Sequence, residues 1–375
     1  MNRTRRAAAH AGWVIPFLFV LAGCSEATSP TGLTVYGGPD NPARDGSYTA
    51  PILSENGIAS LEPVMLGGVE QWILIRGYDV DNPILIFLHG GPGSPGIPYA
   101  KYSMGGLERH FTMVTWDQRG CGKSYYAGID PGSITLEQML SDTHDLIMMM
   151  RERFGQEKVY LMGISWGSIL GAFTARDHPE LLHAYIGIGQ AVNAERGVRV
   201  AHEAALAKAS ELGHQEAIQS LSGMQVDPVD WDQMGTLFYW LEEFGYGDLH
   251  DTSQYPALVD SLRAATEYTP ANIANDDNWR ALYASSLLLS DQTWLYTLDL
   301  INQLPAFDIP IYFLAGRFDY KTPAVLVQEY LAALQAPAKQ IFFFENSSHM
   351  PNIEEREAFH SALINGVLAG TSQQH

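Results

Sequence analysis

Three side chains of this 375-residue chain stand in the order serine, aspartate, histidine that acyl-transfer chemistry uses. Gly163-Ile164-Ser165-Trp166-Gly167 reads G-x-S-x-G, Asp319 closes Gly316-Arg317-Phe318-Asp319, and His349 lies in Ser347-Ser348-His349-Met350-Pro351. A serine hydroxyl is a poor nucleophile until a base takes its proton, and the imidazole that does so needs a carboxylate to fix its tautomer and stabilise its cation. Ser165 is therefore the candidate nucleophile, His349 the base and Asp319 the orienting acid. The oxyanion formed on attack needs N–H donors. The glycines of His89-Gly90-Gly91-Pro92-Gly93 let backbone approach a substrate, so Gly91 N–H and Trp166 N–H are the expected pair. Plainer readings stand beside these: Asp319 as a turn acid capping a helix that starts near Thr322, His349 as an exposed loop histidine, and 89–93 as an ordinary turn.

Such residues act only if strands and helices deliver them to one place. Short β-branched or apolar runs at 61–66, 71–76, 84–88 and 111–116 predict strands, as do 159–163, 184–189, 310–316 and 340–344. A helix follows Thr135, which forms a capping box with Gln138 and precedes apolar residues at helical spacing; Gly155 ends it. Further helices are expected at 166–176, 322–334 and from about Ile353. Ser165 thus falls on a sharp strand-to-helix turn, and Asp319 and His349 each follow a late strand. This predicts an α/β-hydrolase fold, a mostly parallel central sheet flanked by helices. Residues 191–305 carry Ala/Leu/Glu-rich stretches and many aromatics with little strand signal, and read as an inserted helical cap. The expected organisation is a signal peptide at 1–23, a tether at 24–48, a first core part at 49–190, the cap, and a second core part at 306–375. Asp308 precedes its strand and so belongs at the non-catalytic end of the sheet.

The formal net charge of −20, with no basic cluster beyond the first residues, excludes nucleic acid as a partner. Arg3, Arg5 and Arg6 followed by the apolar run at 13–22 read as a signal peptide, too short and too interrupted by Pro16 to span a membrane. Removing 1–23 leaves 19 basic residues against 42 acidic ones. Leu21-Ala22-Gly23-Cys24 resembles the lipobox of bacterial lipoproteins, which implies lipidation of Cys24, export and membrane anchoring, with Ser25 hinting at the outer membrane; an ordinary signal peptide or membrane anchor with an incidental cysteine is the alternative. Cys121, the second of two cysteines, then has no partner for a disulfide. No histidine motif is placed to activate it, so it reads as a small buried residue.

The segments 89–93, 116–124, 163–168, 316–319 and 347–351 together resemble the proline iminopeptidase family. The resemblance covers roughly 60–190 and 310–365. It implies a Ser–Asp–His triad working without metal or cofactor, an oxyanion hole at Gly91 and Trp166, and a short-peptide or other small-molecule substrate. Asp117, Arg119 and His89 read as structural. Family peptidases hold the substrate's free α-amino group with cap acids beside aromatics, and Trp240, Glu242 and Glu243 are the nearest candidates here, although a glutamate pair on a helix also reads as a solvated face. Epoxide hydrolases and haloalkane dehalogenases, which carry Asp at the nucleophile position, are excluded by Ser165. The functions that follow are an aminopeptidase releasing N-terminal residues, a carboxylesterase or lactonase on small acyl substrates, or a binding lipoprotein with a vestigial triad.

Overall fold

A computed structural model describes residues 43–290 and 293–372. The expected signal peptide, Cys24 and most of the tether lie outside the described residues. Eight strands form one sheet: β1 (Ile58–Leu66), β2 (Val69–Gly77), β3 (Ile84–Leu88), β4 (Thr112–Asp117), β5 (Val159–Ile164), β6 (Leu182–Ile188), β7 (Ile311–Gly316) and β8 (Lys339–Phe344). Their order is β1-β2-β4-β3-β5-β6-β7-β8, with β2 antiparallel to both neighbours and every later pairing parallel. All eight lie within three residues of the expected runs.

The central strands read as unbroken apolar text because both faces are covered. Ile84, Ile86, Leu88 and Leu161 pack on one face with the helices Leu136–Phe154, Trp166–Asp177 and Ala324–Ala333. Leu85, Phe87, Met162 and Ile164 alternate with them onto the other face, against Met104, Phe359, Leu363 and Val367. The helix Leu136–Phe154 starts where Thr135 Oγ1 accepts the Gln138 N–H at 3.1 Å and stops at Gly155 with φ 64°. The expected capping box is only half made, because the Gln138 amide turns to Asp142 Oδ1 at 2.8 Å instead of returning to Thr135.

Between β6 and β7 the described residues are helical, as expected, yet they form two packing units. The first, including Val198, Ala201, Leu237, Trp240 and Leu241, has its own apolar cluster. In the second, Tyr268, Trp279, Tyr283, Leu288 and Leu298 join the main core, and Tyr283 OH donates to the Arg119 carbonyl at 2.6 Å. The first described residues also differ from expectation. Residues 43–48, read as tether, are held on the core: buried Lys123 donates to Asp45 Oδ2 at 2.6 Å and Ser47 Oγ at 2.7 Å, and Tyr48 N–H bonds the Thr266 carbonyl. Composition marked this stretch as linker because its few polar groups find their partners only from distant loops.

Candidate active site

β5 hands directly to the helix that starts at Trp166, and Ser165 between them takes φ 54° and ψ −118°. It is the one non-glycine residue with positive φ among the described residues. That conformation costs about 1–3 kcal/mol and persists only where surroundings enforce it. They do: a Cβ on Gly163 would collide with the Gly167 carbonyl, and one on Gly167 would meet the carbonyls of Leu88 and His89. Ser165 N–H is anchored on the Ile188 carbonyl at 3.0 Å. The hydroxyl is thereby raised at the carboxyl end of the sheet, beside the loop after β3.

The catalytic-type acid and base meet from the ends of β7 and β8. His349 Nδ1 donates to Asp319 Oδ2 at 2.9 Å, with both side chains buried. Asp319 Oδ1 accepts the Thr322 N–H at 2.9 Å and Oδ2 accepts the Thr322 hydroxyl at 2.8 Å. One carboxylate thus holds the turn and the imidazole together, the arrangement that both the turn-acid and the triad readings of Asp319 call for. His349 Nε2 and Ser165 Oγ are not hydrogen-bonded among the described residues, a looseness usual before substrate arrives. Gly189, directly after β6, has φ 47°, and a Cβ there would lie 2.8 Å from His349 Nδ1 and Cε1.

Gly91 adopts φ 113°, and its N–H has no acceptor among the described residues. Trp166 N–H is at the first helical position, where no intrahelical acceptor exists and the helix dipole favours negative charge. The loop between them is cross-braced by Gln118. Its amide donates to the His89 carbonyl at 3.1 Å and accepts from Trp166 Nε1 at 2.9 Å, while its N–H donates to His89 Nε2 at 3.0 Å. His89 Nδ1 therefore carries the proton and gives it to the Gly90 carbonyl at 2.9 Å. Burial pushes this imidazole down to about 4, so it is neutral and structural.

Asp117 and Arg119 are structural as well. Arg119 forms a bidentate pair with Asp142 at 2.8 and 2.9 Å, buried on both sides. Asp117 accepts from Ile97 N–H, Lys123 N–H and the Tyr268 hydroxyl, and burial raises it to about 6 despite those bonds. Cys121 departs from expectation in one respect: a histidine does stand beside it, with His89 Nε2 at 3.3 Å. That nitrogen already accepts from Gln118, and burial, then the nearby Asp117 charge, raises the thiol well above its ordinary value, so no thiolate forms. Asp308 is exposed ahead of β7.

The three cap residues expected near the substrate are engaged elsewhere in the fold. Trp240 is buried against His214 and Phe244, and Glu243 faces solvent. Glu242 accepts from Asp248 N–H at 3.1 and 3.0 Å and from Tyr255 OH at 2.7 Å, and pairs with Lys321 at 3.4 Å. It thus props the turn at 247–248, whose carbonyls accept from the His349 loop. None of the three lines the cavity of about 350 Å³ that opens next to Gly91, Gln190 and Thr322. That cavity is walled by Val198, Trp231, Leu237, Phe238, Leu295 and Tyr296, and Lys321 is the one charged residue among its described walls. Sequence reasoning missed Gly189, Gln118 and Thr322. Only Thr322 left a local signal, a hydroxyl residue three positions after an aspartate.

A nucleophile elbow, an Asp–His pair and two N–H donors on an eight-stranded mostly parallel sheet define a serine-hydrolase site, and the alpha/beta hydrolase fold family matches residues 83–208. Over 315 residues the chain is 33% identical to "Probable aminopeptidase YbaC" of Bacillus subtilis (strain 168), covering 83% of this chain and 97% of that protein. It is 26% identical to the proline iminopeptidase of Heyndrickxia coagulans, over 74% of this chain and 88% of that one. The crystal structure of a Mycobacterium smegmatis proline iminopeptidase shares the fold at TM-score 0.60 and 19% identity, covering 84% of this chain and all of that one. The chain belongs to the α/β hydrolase family, with an aminopeptidase-named and a proline iminopeptidase-named protein among its relatives, and is a hydrolase.

Proposed function

We propose that this hydrolase works through an acyl-serine intermediate and releases N-terminal residues from short peptides. The observation that carries the mechanism is the buried Asp319–His349 pair, delivered from the ends of β7 and β8, together with the strained strand-to-helix turn that raises Ser165 after β5. Ser165 Oγ attacks the carbonyl while His349 Nε2 takes its proton. Gly91 and Trp166 N–H groups hold the oxyanion, His349 protonates the departing amine, and water then releases the acyl group by the same route. The peptide substrate is supported by the aminopeptidase and proline iminopeptidase relatives. A second reading, hydrolysis of small carboxylic esters or lactones, is favoured by the absence of any carboxylate from the cavity's described walls. Prolyl and alanyl arylamides beside short-chain p-nitrophenyl esters, with Ser165→Ala as blank, test both. Serine-dependent arylamide cleavage supports the first reading, ester cleavage alone the second, and turnover unaffected by Ser165→Ala would refute the mechanism.

We further infer that the chain is exported and lipid-anchored at Cys24, a reading supported by the basic start, the apolar run and the Leu-Ala-Gly-Cys sequence. Mass spectrometry of the membrane-extracted protein should find acyl chains on an N-terminal Cys24, and Cys24→Ala should abolish them. An unmodified N-terminus elsewhere would overturn it.

A further inference from the structure

We propose that Glu354, five positions after the base, is a positioning residue that ties the His349 loop to the cap, making the cap turn at 247–251 a working part of the catalytic apparatus. This rests on the acyl-serine reading, in which His349 is the base. Among the described residues His349 Nε2 has no hydrogen bond to Ser165 Oγ, so the distance between them is set by Asp319 and by the loop that carries the histidine. That loop hangs from the cap. His349 N–H donates to the Gly247 carbonyl at 3.3 Å, Met350 N–H to the Asp248 carbonyl at 3.1 Å and Ser348 Oγ to the Gly247 carbonyl at 2.7 Å. Glu354 closes the connection from the core side: Oε2 accepts Ser348 N–H at 2.7 Å, and Oε1 accepts His250 N–H at 2.7 Å and Asp251 N–H at 2.9 Å. One carboxylate thus grips main chain in both segments with charge-assisted bonds, roughly twice as strong as neutral ones. Burial disfavours a charge there, and these three N–H bonds oppose that. The turn is fixed at its other end as well, since a Cβ on Gly247 would lie 2.2 Å from Glu242 Cδ. The acid's turn leans on the same cap segment: Tyr320 N–H donates to the Tyr246 carbonyl at 3.2 Å, and the His250 ring stacks on Phe318 with centroids 3.6 Å apart. Acid and base therefore keep their register through the cap, and Glu354 is the link to it from the core.

Glu354→Gln keeps the shape but leaves one accepting oxygen, so either Ser348 N–H or the N–H pair of 250–251 faces an amide nitrogen that cannot accept. On any substrate the wild type cleaves, kcat should fall at least tenfold, since a displacement near 1 Å in a reacting group costs about 10²-fold. KM should stay within about twofold, because Glu354 is not a wall of the cavity. The downfield proton resonance of His349 Nδ1–H, identified by its loss in His349→Ala, should shift or broaden in Glu354→Gln measured without substrate. An unchanged resonance, a kcat within about twofold of wild type in a variant that melts cooperatively, or a loss carried by KM overturns the assignment. His250→Ala keeps the N–H that Glu354 accepts but removes the stack on Phe318, and should lower kcat roughly threefold or more at constant KM. It decides the question if Glu354→Gln does not fold, an undiminished kcat then refuting the cap's part in catalysis. Turnover that survives Ser165→Ala sinks the acyl-serine reading, and the His349 resonance, which needs no turnover, then judges Glu354 alone.

Discussion

Gly189→Ala puts the geometry of the base to its most direct test. Its Cβ would stand 2.8 Å from His349 Nδ1 and Cε1 and 3.1 Å from Asp319 Oδ2, where carbon contacts prefer about 3.5–4.0 Å. The buried imidazole must then retreat by roughly 0.7 Å or the backbone must leave its φ of 47°. A displacement near 1 Å in a reacting group costs about 10²-fold in rate. An alanine at this φ adds about 1–2 kcal/mol of strain, which lowers Tm by a few degrees, roughly 2–4 °C per kcal/mol at this size. Gly189 is not a wall of the cavity, so KM should hold while kcat falls. Steady-state kinetics on any substrate cleaved by the wild type, with thermal melts in parallel, measure both. A kcat within twofold of wild type in a folded protein would refute the claim that this glycine sets the imidazole's position.

Asp319→Asn should lower kcat about 10⁴-fold by favouring the wrong tautomer of His349, with little effect on the melting curve's shape; a loss below tenfold would remove Asp319 from the triad. Asp142→Ala leaves the Arg119 guanidinium buried and unpaired, and should cost about 3–5 kcal/mol in urea unfolding, against near-neutrality if the pair were exposed. Asp117 and His89 give opposite pH dependences. His89, neutral in the fold with its value near 4, loses stability as pH falls from about 6.5, whereas Asp117, raised to about 6, gains stability as pH falls from there toward 3.8. Asp117→Asn removes the gain, so its stability should drop between pH 6 and 4 by about 3 kcal/mol more than wild type does, and parallel pH profiles would contradict the burial argument.

Chemistry confined to a few adjacent residues was legible in the sequence. The glycines flanking Ser165 are dictated by a turn that leaves no room for a Cβ, and a strand must precede and a helix follow, so five letters carried both motif and architecture. The order Ser165, Asp319, His349 was legible because each must follow a strand of a parallel sheet, where periodicity is plain. Composition and the spacing of charges could not say that Glu242 would be spent on Asp248, Tyr255 and Lys321, since those partners approach from separate turns. Nor could they say that Asp45 and Ser47 would embrace Lys123 from 76 or more positions away. Tertiary structure alone decided which charge faces the cavity, because an ion's role depends on who reaches it first, and that is fixed by packing across the whole chain.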